Sequence, residues 1–480
     1  MQFYNQLSKR IDTFTPINES LVTLYTCGPT VYSTPTVGNW ASYIHWDTLV
    51  RTLSAHGFDV KRVMNVTDVG HLVSDADDGE DKLEKGARRE GKTAWEVAAF
   101  YTNEFVAGMA ALNLVSPTHM PKATEFIDEQ LALIRTLQNK GFTYQISDGI
   151  YYDTSKFPAY GDFAGLDVDA QKAGARVEFN PEKRNASDFA LWKFTPEGTT
   201  RDMEWQTPAD IAQGAPMGFP GWHLECSAMA ITLLGETIDI HTGGIDHIPV
   251  HHTNEIAQSE AATDVQFAHY WLHTNHLKVN GTKISKSLGN GYTLDDLEER
   301  GFSPLDLRMA VLQGHYRSEG NFTLETLEAA RNRRLHWVNG AALRHQIHAT
   351  LDEHIDNTQF ETSLRQTREA MRASLANDLN GPEALAAVDE ALSHIEATPH
   401  NKIPLEAFKA LLEDIDQLLG LQLLETSLDI TDDQKMRIIE RERAREDKDF
   451  GRSDVLRNEL LKEGITLRDT PLGTLWEYTT

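Results

Sequence analysis

Apolar residues near the start of the chain fall into short unbroken runs separated by a longer segment of helical character. "LVTLYTC" (21–27) and "DVKRVMNV" (59–66) each read as a buried strand, and the stretch from about 39 to 55, entered through "GPT" and "GN", reads as the helix between them. Strand, helix and strand in that order predict the first half of a parallel α/β sheet, whose ligands bind beyond the carboxyl ends of the strands. Cys27 and "NVTD" (65–68) fall at that edge. The alternation returns with "HLECSAMAITLLG" (223–235) as helix, "TIDIHTG" (237–243) as strand and turn, "PVHHTNEIAQSEAA" (249–262) as helix and an apolar region over 265–279. Between the two halves lie a charged connection (74–92), helical patterns around 93–112 and 121–140, and a hairpin candidate over 142–155 with Asp148 and Gly149 at its turn.

The expected fold is therefore α/β: a Rossmann-like parallel sheet split by an insertion, then a helical bundle and a small end domain. The corresponding segments are 1–115 and 216–292 for the two halves of the sheet, 116–215 for the insertion, 293–399 for the bundle and 400–480 for the end domain. Amphipathic patterns near 356–376, 383–395 and 404–427 carry the bundle.

Composition leaves this picture in place. With 480 residues, 40% hydrophobic and 24% charged, the chain is of ordinary globular type, and collagen-like, mucin-like and wholly disordered classes are excluded. No run approaches the roughly 18 apolar residues that span a membrane, and "MQFYNQLSKRIDTFTPINES" lacks the pattern of a secretory signal, so a cytoplasmic protein is expected. The net charge of −27 means that any nucleic-acid partner must meet a local basic patch. The densest supply of cations is 435–457, with eight Lys or Arg against six acids; it reads either as a mixed solvated helix or as an RNA contact.

Two cysteines cannot form a disulfide framework, so their role, if any, is chemical. His251 and Glu255, four apart on a predicted helix, share a face, while the adjacent His252 is expected to point elsewhere. A parallel sheet can bring Cys27, at the end of a strand, and Cys226, in the helix before "TIDI", to the same edge. Two thiolates, an imidazole and a carboxylate suit zinc in type and number. The plain alternative is a pair of buried cysteines acting as small hydrophobes beside a local His–Glu hydrogen bond. If the ion accepts one more ligand, a soft sulfur from a substrate can bind it directly.

Two further stretches suggest phosphate chemistry. In "GTKISKSLGN", Lys283 and Lys286 can neutralise charge growing on phosphate oxygens, although a basic surface turn would look the same. "TVGN" (36–39) lies at a helix N-terminus, where backbone amides receive phosphate.

Taken together, "YTCGPTVY" (25–32), "TVGN" (36–39), "NVTDV" (65–69), "DFALWK" (188–193), "PGWHLECSAM" (220–229), "GGIDHIPVHHTNEIAQSE" (243–260), "KISKSLGN" (283–290) and "DTPLGTLWE" (469–477) resemble the cysteinyl-tRNA synthetases of class I, over essentially the whole chain. The resemblance implies that Cys27, Cys226, His251 and Glu255 hold one Zn²⁺ that binds the substrate thiolate. It further implies that Gly28, Thr67 and Trp222 line the amino-acid pocket, that Gly38 and Asp246 belong to the nucleotide pocket, and that Thr36 and Asn39 occupy the class signature. Lys283 and Lys286 become the lysines of the ATP loop. The implied reaction is activation of L-cysteine by ATP, with Mg²⁺, to cysteinyl-adenylate and pyrophosphate, then transfer to tRNA(Cys) by a monomer whose bundle region contacts the tRNA stem and whose end domain reads the anticodon.

Two positions depart from the pattern: Thr36 stands where the signature usually begins with His, followed by Val37 and closed by Asn39, and Ile284 stands where the lysine loop commonly has Met. His45, His71 and His247 are candidates to replace the missing imidazole. His252 reads either as a helix-packing residue or as a donor behind the ligands, His247 as a residue facing the nucleotide, and His223, beside Trp222, as a pocket residue; none is assigned as a ligand. Rival functions are an ATP-dependent ligase joining cysteine to a small amine, which lacks a full tRNA-reading end domain, and a zinc-stabilised RNA-binding protein without adenylation.

Overall fold

The computed structural model describes residues 1–70, 81–165, 180–214, 216–284, 289–347, 358–399, 402–470 and 473–479. Two compact units are present. One comprises Met1–Asp296 with Tyr316–Asn321, and the other Leu297–His315 with Phe322–Thr480.

In the first unit, strand β1 (Leu21–Thr26) leads to helix α1 (Val37–Ala55) and strand β2 (Asp59–Met64). Then follow α2 (Ala94–Ala111), α3 (Ile127–Asn139) and strands β3 (Thr143–Ile146), β4 (Gly149–Tyr152), β5 (Phe189–Phe194), β6 (Trp205–Gln206) and β7 (Met217–Pro220). Helix α4 (Trp222–Leu234), β8 (Ile238–Gly244), α5 (Thr253–Thr263) and β9 (Ala268–Thr274) return the chain to the first sheet. That sheet runs β9-β8-β1-β2 with every pair parallel, and its register sets Thr26 beside Thr242 and Met64. Val22, Leu24, Ile238, Ile240 and Leu272 are fully buried, as expected of strands covered on both faces.

The insertion is richer than the single hairpin its sequence suggests. β3 to β7 form a five-stranded antiparallel sheet in the order β3-β4-β5-β7-β6. The hairpin turn also shifts by one residue: Ile146 pairs with Gly149, which leaves Ser147 and Asp148 as the loop. Gly149 is the first residue of the strand, and a side chain does not fit there because a Cβ would run into the carbonyl oxygen of Trp192. Asp148 instead accepts Lys193 Nζ at 2.6 Å.

The second unit contains α6 (Pro304–Leu312), α7 (Leu324–Ala342), α8 (Thr358–Ala376), α9 (Gly381–Ala397) and α10 (Leu405–Leu419), packed through fully buried Met371, Leu375, Val388, Leu392, Leu411 and Ile415. It closes with α11 (Asp432–Glu446), α12 (Phe450–Lys462) and the antiparallel pair β10 (Ile465–Thr470) and β11 (Gly473–Tyr478). The segment 435–457 is not one helix: it spans α11 and the first part of α12, broken at 447–449, and four of its arginines are bound into the module. Arg441 and Arg445 both reach Asp469, Arg437 reaches Glu463 at 2.6 Å, and Arg452 reaches Glu440 at 2.8 Å. Arg443, Lys448 and Arg457 stay on the exposed surface. No helix among the described residues is long and apolar enough to cross a membrane.

Candidate metal centre and nucleotide cleft

Cys27 is the first residue after β1, and its amide donates to the Thr242 carbonyl of the neighbouring strand at 3.1 Å, so the sheet edge itself fixes it. Cys226 lies in the second turn of α4, and Glu255 in the first turn of α5. The ligand atoms of Cys27, Cys226, His251 and Glu255 all lie within 4.8 Å of one another. Cys226, His251 and Glu255 are buried, whereas Cys27 is half-buried. The group is therefore closed on three sides and reachable past one sulfur.

A second set, Cys27, His241, His252 and Glu255, overlaps the first. His241 Nε2 lies 2.8 Å from Glu255 Oε2, and His252 Nε2 lies 3.4 Å from the Cys27 sulfur. This corrects the expectation that His252 points elsewhere. Residues Ile248–His252 form a π-turn ahead of α5, and its wider winding brings both members of the His251–His252 pair to the centre. Behind them His223 Nδ1 meets His251 Nδ1 at 2.9 Å, and His252 Nδ1 meets His273 Nε2 at 2.7 Å. His241 stacks on Trp271 with centroids 4.4 Å apart.

Charge at the centre is strongly coupled. Burial opposes a charge on His251, but Glu255 and Cys226 outweigh it and push its pKa up to about 10. Burial would raise the Glu255 carboxyl, yet His241 and His251 hold it far below the carboxylate range. The Cys27 sulfur holds the Cys226 thiol below its ordinary value, while burial, Cys226 and Glu255 push Cys27 well above. Burial and neighbouring imidazoles keep His252 and His273 well below the usual histidine range, and burial together with His251 brings His247 down to about 4. Glu255 Oε1 is buried and lies 3.1 Å from His251 Nε2 without a well-formed hydrogen bond. A carboxylate oxygen gathered with two sulfurs and an imidazole is the donor set a soft divalent cation takes.

A cleft of about 430 Å³ runs from this centre, lined by Cys27, Gly28, Thr36, Gly38, Asn39, Asp246, His247, His276, Lys283 and Ile284. Gly28 has no room for a side chain, because a Cβ would fall on the Asn65 carbonyl oxygen. Its amide donates to Asn65 Oδ1 at 2.8 Å, Asn65 Nδ2 donates to Thr67 Oγ1 at 3.0 Å, and Thr67 donates to Glu225 at 3.0 Å. Trp222 is half-buried, and its ring lies 4.7 Å from that of His251. At the N-terminus of α1, Asn39 Oδ1 accepts from both the amide and the hydroxyl of Thr36, at 2.9 and 3.0 Å. A Cβ at Gly38 would press on Ile284 at 2.7 Å, so the glycine lets the Ile284 side chain settle against the helix start.

Residues 13–332 match the family described as "tRNA synthetases class I (C) catalytic domain". The chain is 42% identical over 484 residues to cysteine-tRNA ligase 1 of Burkholderia lata, covering 98% of this chain and 96% of that protein. It is 39% identical over 496 residues to the cysteine-tRNA ligase of Treponema denticola, covering 99% of each. The chain belongs to the cysteine-tRNA ligase family. A methionyl-tRNA synthetase of Mycobacterium tuberculosis, solved with methionyl-adenylate, shares the fold at TM-score 0.62 and 14% identity, covering 85% of this chain and 93% of that one.

Within this member of the cysteine-tRNA ligase family, the histidines proposed to replace the signature imidazole are sorted by position. His247 lines the cleft, His45 does not, and His71 lies outside the described residues, as does Lys286. His276 lines the cleft and was not anticipated. Nor were Tyr25, His241 and His273, which converge on the metal ligands only because adjacent parallel strands set Tyr25 beside His241 and His241 beside Trp271.

Proposed function

We propose that this chain is a cysteine-tRNA ligase that activates L-cysteine with ATP and transfers it to the terminal adenosine of tRNA(Cys). The observation that carries the reading is the convergence of Cys27, Cys226, His251 and Glu255 beside a cleft whose other walls bear Asp246 and Lys283. Those four residues would hold Zn²⁺, which supplies a soft Lewis acid for the substrate thiolate. Cysteine enters past Cys27, the half-buried member of the set. The positive end of α1 receives phosphate oxygens, and the Lys283 ammonium offsets the charge that grows on them as pyrophosphate, carried with Mg²⁺, departs. Asp246 accepts hydrogen bonds from the nucleoside.

Serine differs from cysteine by one atom, and an apolar pocket distinguishes such a pair poorly. A soft metal prefers sulfur, which gives selectivity without an editing site. The segment from about 400 reads the anticodon, where exposed Met436 and Phe450 and exposed Arg443, Lys448 and Arg457 offer apolar and cationic surface to unstacked bases. Cysteine-dependent ATP–pyrophosphate exchange, metal analysis and charging of tRNA against an amino-sugar acceptor, on one purified sample, test the whole reading. Acceptance of the amino sugar in place of tRNA would assign the small-amine ligase, and tRNA binding without exchange would assign an RNA-binding protein.

A further inference from the structure

Lys283 stands on a slender support. It ends a strand of two residues, Thr282–Lys283, where it lies opposite Lys278, and its side chain is exposed. The next residue, Ile284, is half-buried and wedged between two glycines from elsewhere in the chain. A Cβ at Gly38, in the first turn of α1, would come within 2.7 Å of Ile284 Cδ1, and a Cβ at Gly291 within 3.3 Å of Ile284 Cγ2. The methyl of Thr36 is the third wall, 2.9 Å from the same point at Gly291. Thr36 and Ile284, the two positions that depart from the family pattern, therefore meet in one place. Two hydrogen bonds complete the arrangement: Asn290 Nδ2 donates to the Lys283 carbonyl at 3.2 Å, and the Val37 amide donates to the Tyr292 carbonyl at 2.8 Å. The backbone of Lys283 is thereby tied to residues 290–292, and those to the start of α1.

We propose that Ile284 is a positioning residue for Lys283: its contact with Gly38, Gly291 and the Thr36 methyl pins the backbone from which the ammonium reaches the phosphate site at the start of α1. The inference rests on the ligase reading above. A lysine ammonium rides on a flexible four-carbon stem, so the place it serves is decided by where its backbone is held. An apolar wedge fixes that point without setting a competing charge beside the phosphates. The two glycines leave the room it needs, and the methyl of Thr36 fills the remaining side, which gives that residue a part separate from its hydroxyl contact with Asn39. Displacing a reacting group by about 1 Å costs up to ~100-fold in rate.

The test uses the full-length wild type, Ile284→Ala, which removes the contact, Ile284→Met, which restores its bulk, and Lys283→Ala as the reference. ATP–pyrophosphate exchange is measured over a range of cysteine and ATP concentrations, and urea unfolding shows that each variant is folded. Expected for Ile284→Ala is a fall of about 10- to 100-fold in maximal exchange rate with KM for cysteine unchanged, the pattern of Lys283→Ala and no larger than it. Ile284→Met, a swap of similar volume, recovers most of the loss. Thr36→Ser loses the methyl and keeps the hydroxyl; it slows exchange in the wild type but not further in Ile284→Ala, because both changes open one contact. The proposal is overturned by an Ile284→Ala protein that exchanges at the wild-type rate or whose KM for cysteine rises as the rate falls, by failure of Ile284→Met to recover, or by Thr36→Ser and Ile284→Ala effects that multiply. If the wild type shows no cysteine-dependent exchange, the ligase reading itself falls, a result distinct from an active wild type whose Ile284 variants are equally active.

Discussion

Adding Zn²⁺ to metal-stripped protein at pH 7 releases at least two protons. Metal ligands must be deprotonated, and two of the four candidates hold protons at neutral pH: His251, with a pKa of about 10, and Cys27, pushed above the ordinary thiol value. Removing the His251 proton at pH 7 spans about 3 pH units, or ~4 kcal/mol. Cys226 adds at most a third proton, because its pKa is lowered. The sign follows from the same shift. The folded pKa of His251 lies above its unfolded value of 6.5, so its protonation stabilises the metal-free fold fully below pH 6.5 and that contribution fades as pH rises towards 10. Zinc competes with that proton, so zinc stabilisation grows over the same window. Isothermal titration at pH 7 in two buffers of different ionisation enthalpy counts the protons, and affinity should rise about 100-fold per pH unit near neutrality. Release of one proton or fewer would refute the coupled arrangement of sulfur, imidazole and carboxylate.

Gly28→Ala should destabilise the protein by ~1–3 kcal/mol and reduce its metal content, because the added methyl has only the Asn65 carbonyl to displace; urea unfolding and metal analysis read both effects. Thr36→Ala should cost about 1 kcal/mol by removing the cap contact with Asn39, and should slow cysteine-dependent pyrophosphate exchange; an unchanged rate removes Thr36 from the phosphate site. Asp469→Asn should loosen the final module by ~1 kcal/mol, discounted for the partial exposure of the carboxylate, and raise its proteolysis rate. Arg441 and Arg445 hold the Asp469 pKa below its ordinary value, so the contribution is present above about pH 4 and is lost in stronger acid.

Strand and helix order was legible because burial on both faces demands apolar runs and the intervening helices carry their own periodicity. The insertion was legible only as a hairpin. β6 is two residues long, and the strands that complete the five-stranded sheet are separated by long connections, so neither length nor alternation marks them. Arginines in 435–457 looked available for RNA, yet four of them answer carboxylates on neighbouring elements that the linear charge pattern does not identify.

The sequence by itself determined the parallel-sheet class, the placing of Cys27 at a strand end, the helical spacing of His251 and Glu255, and the family motifs, since each depends on residues within a few positions of one another or on a pattern kept along the whole chain. Only the tertiary structure decided that Cys226 reaches the same point, that His241 and Tyr25 stand beside it, and that a π-turn brings in His252. The reason is geometric: strand pairing sets distant residues side by side in a register fixed by the whole sheet, and one extra residue in a turn redirects a side chain.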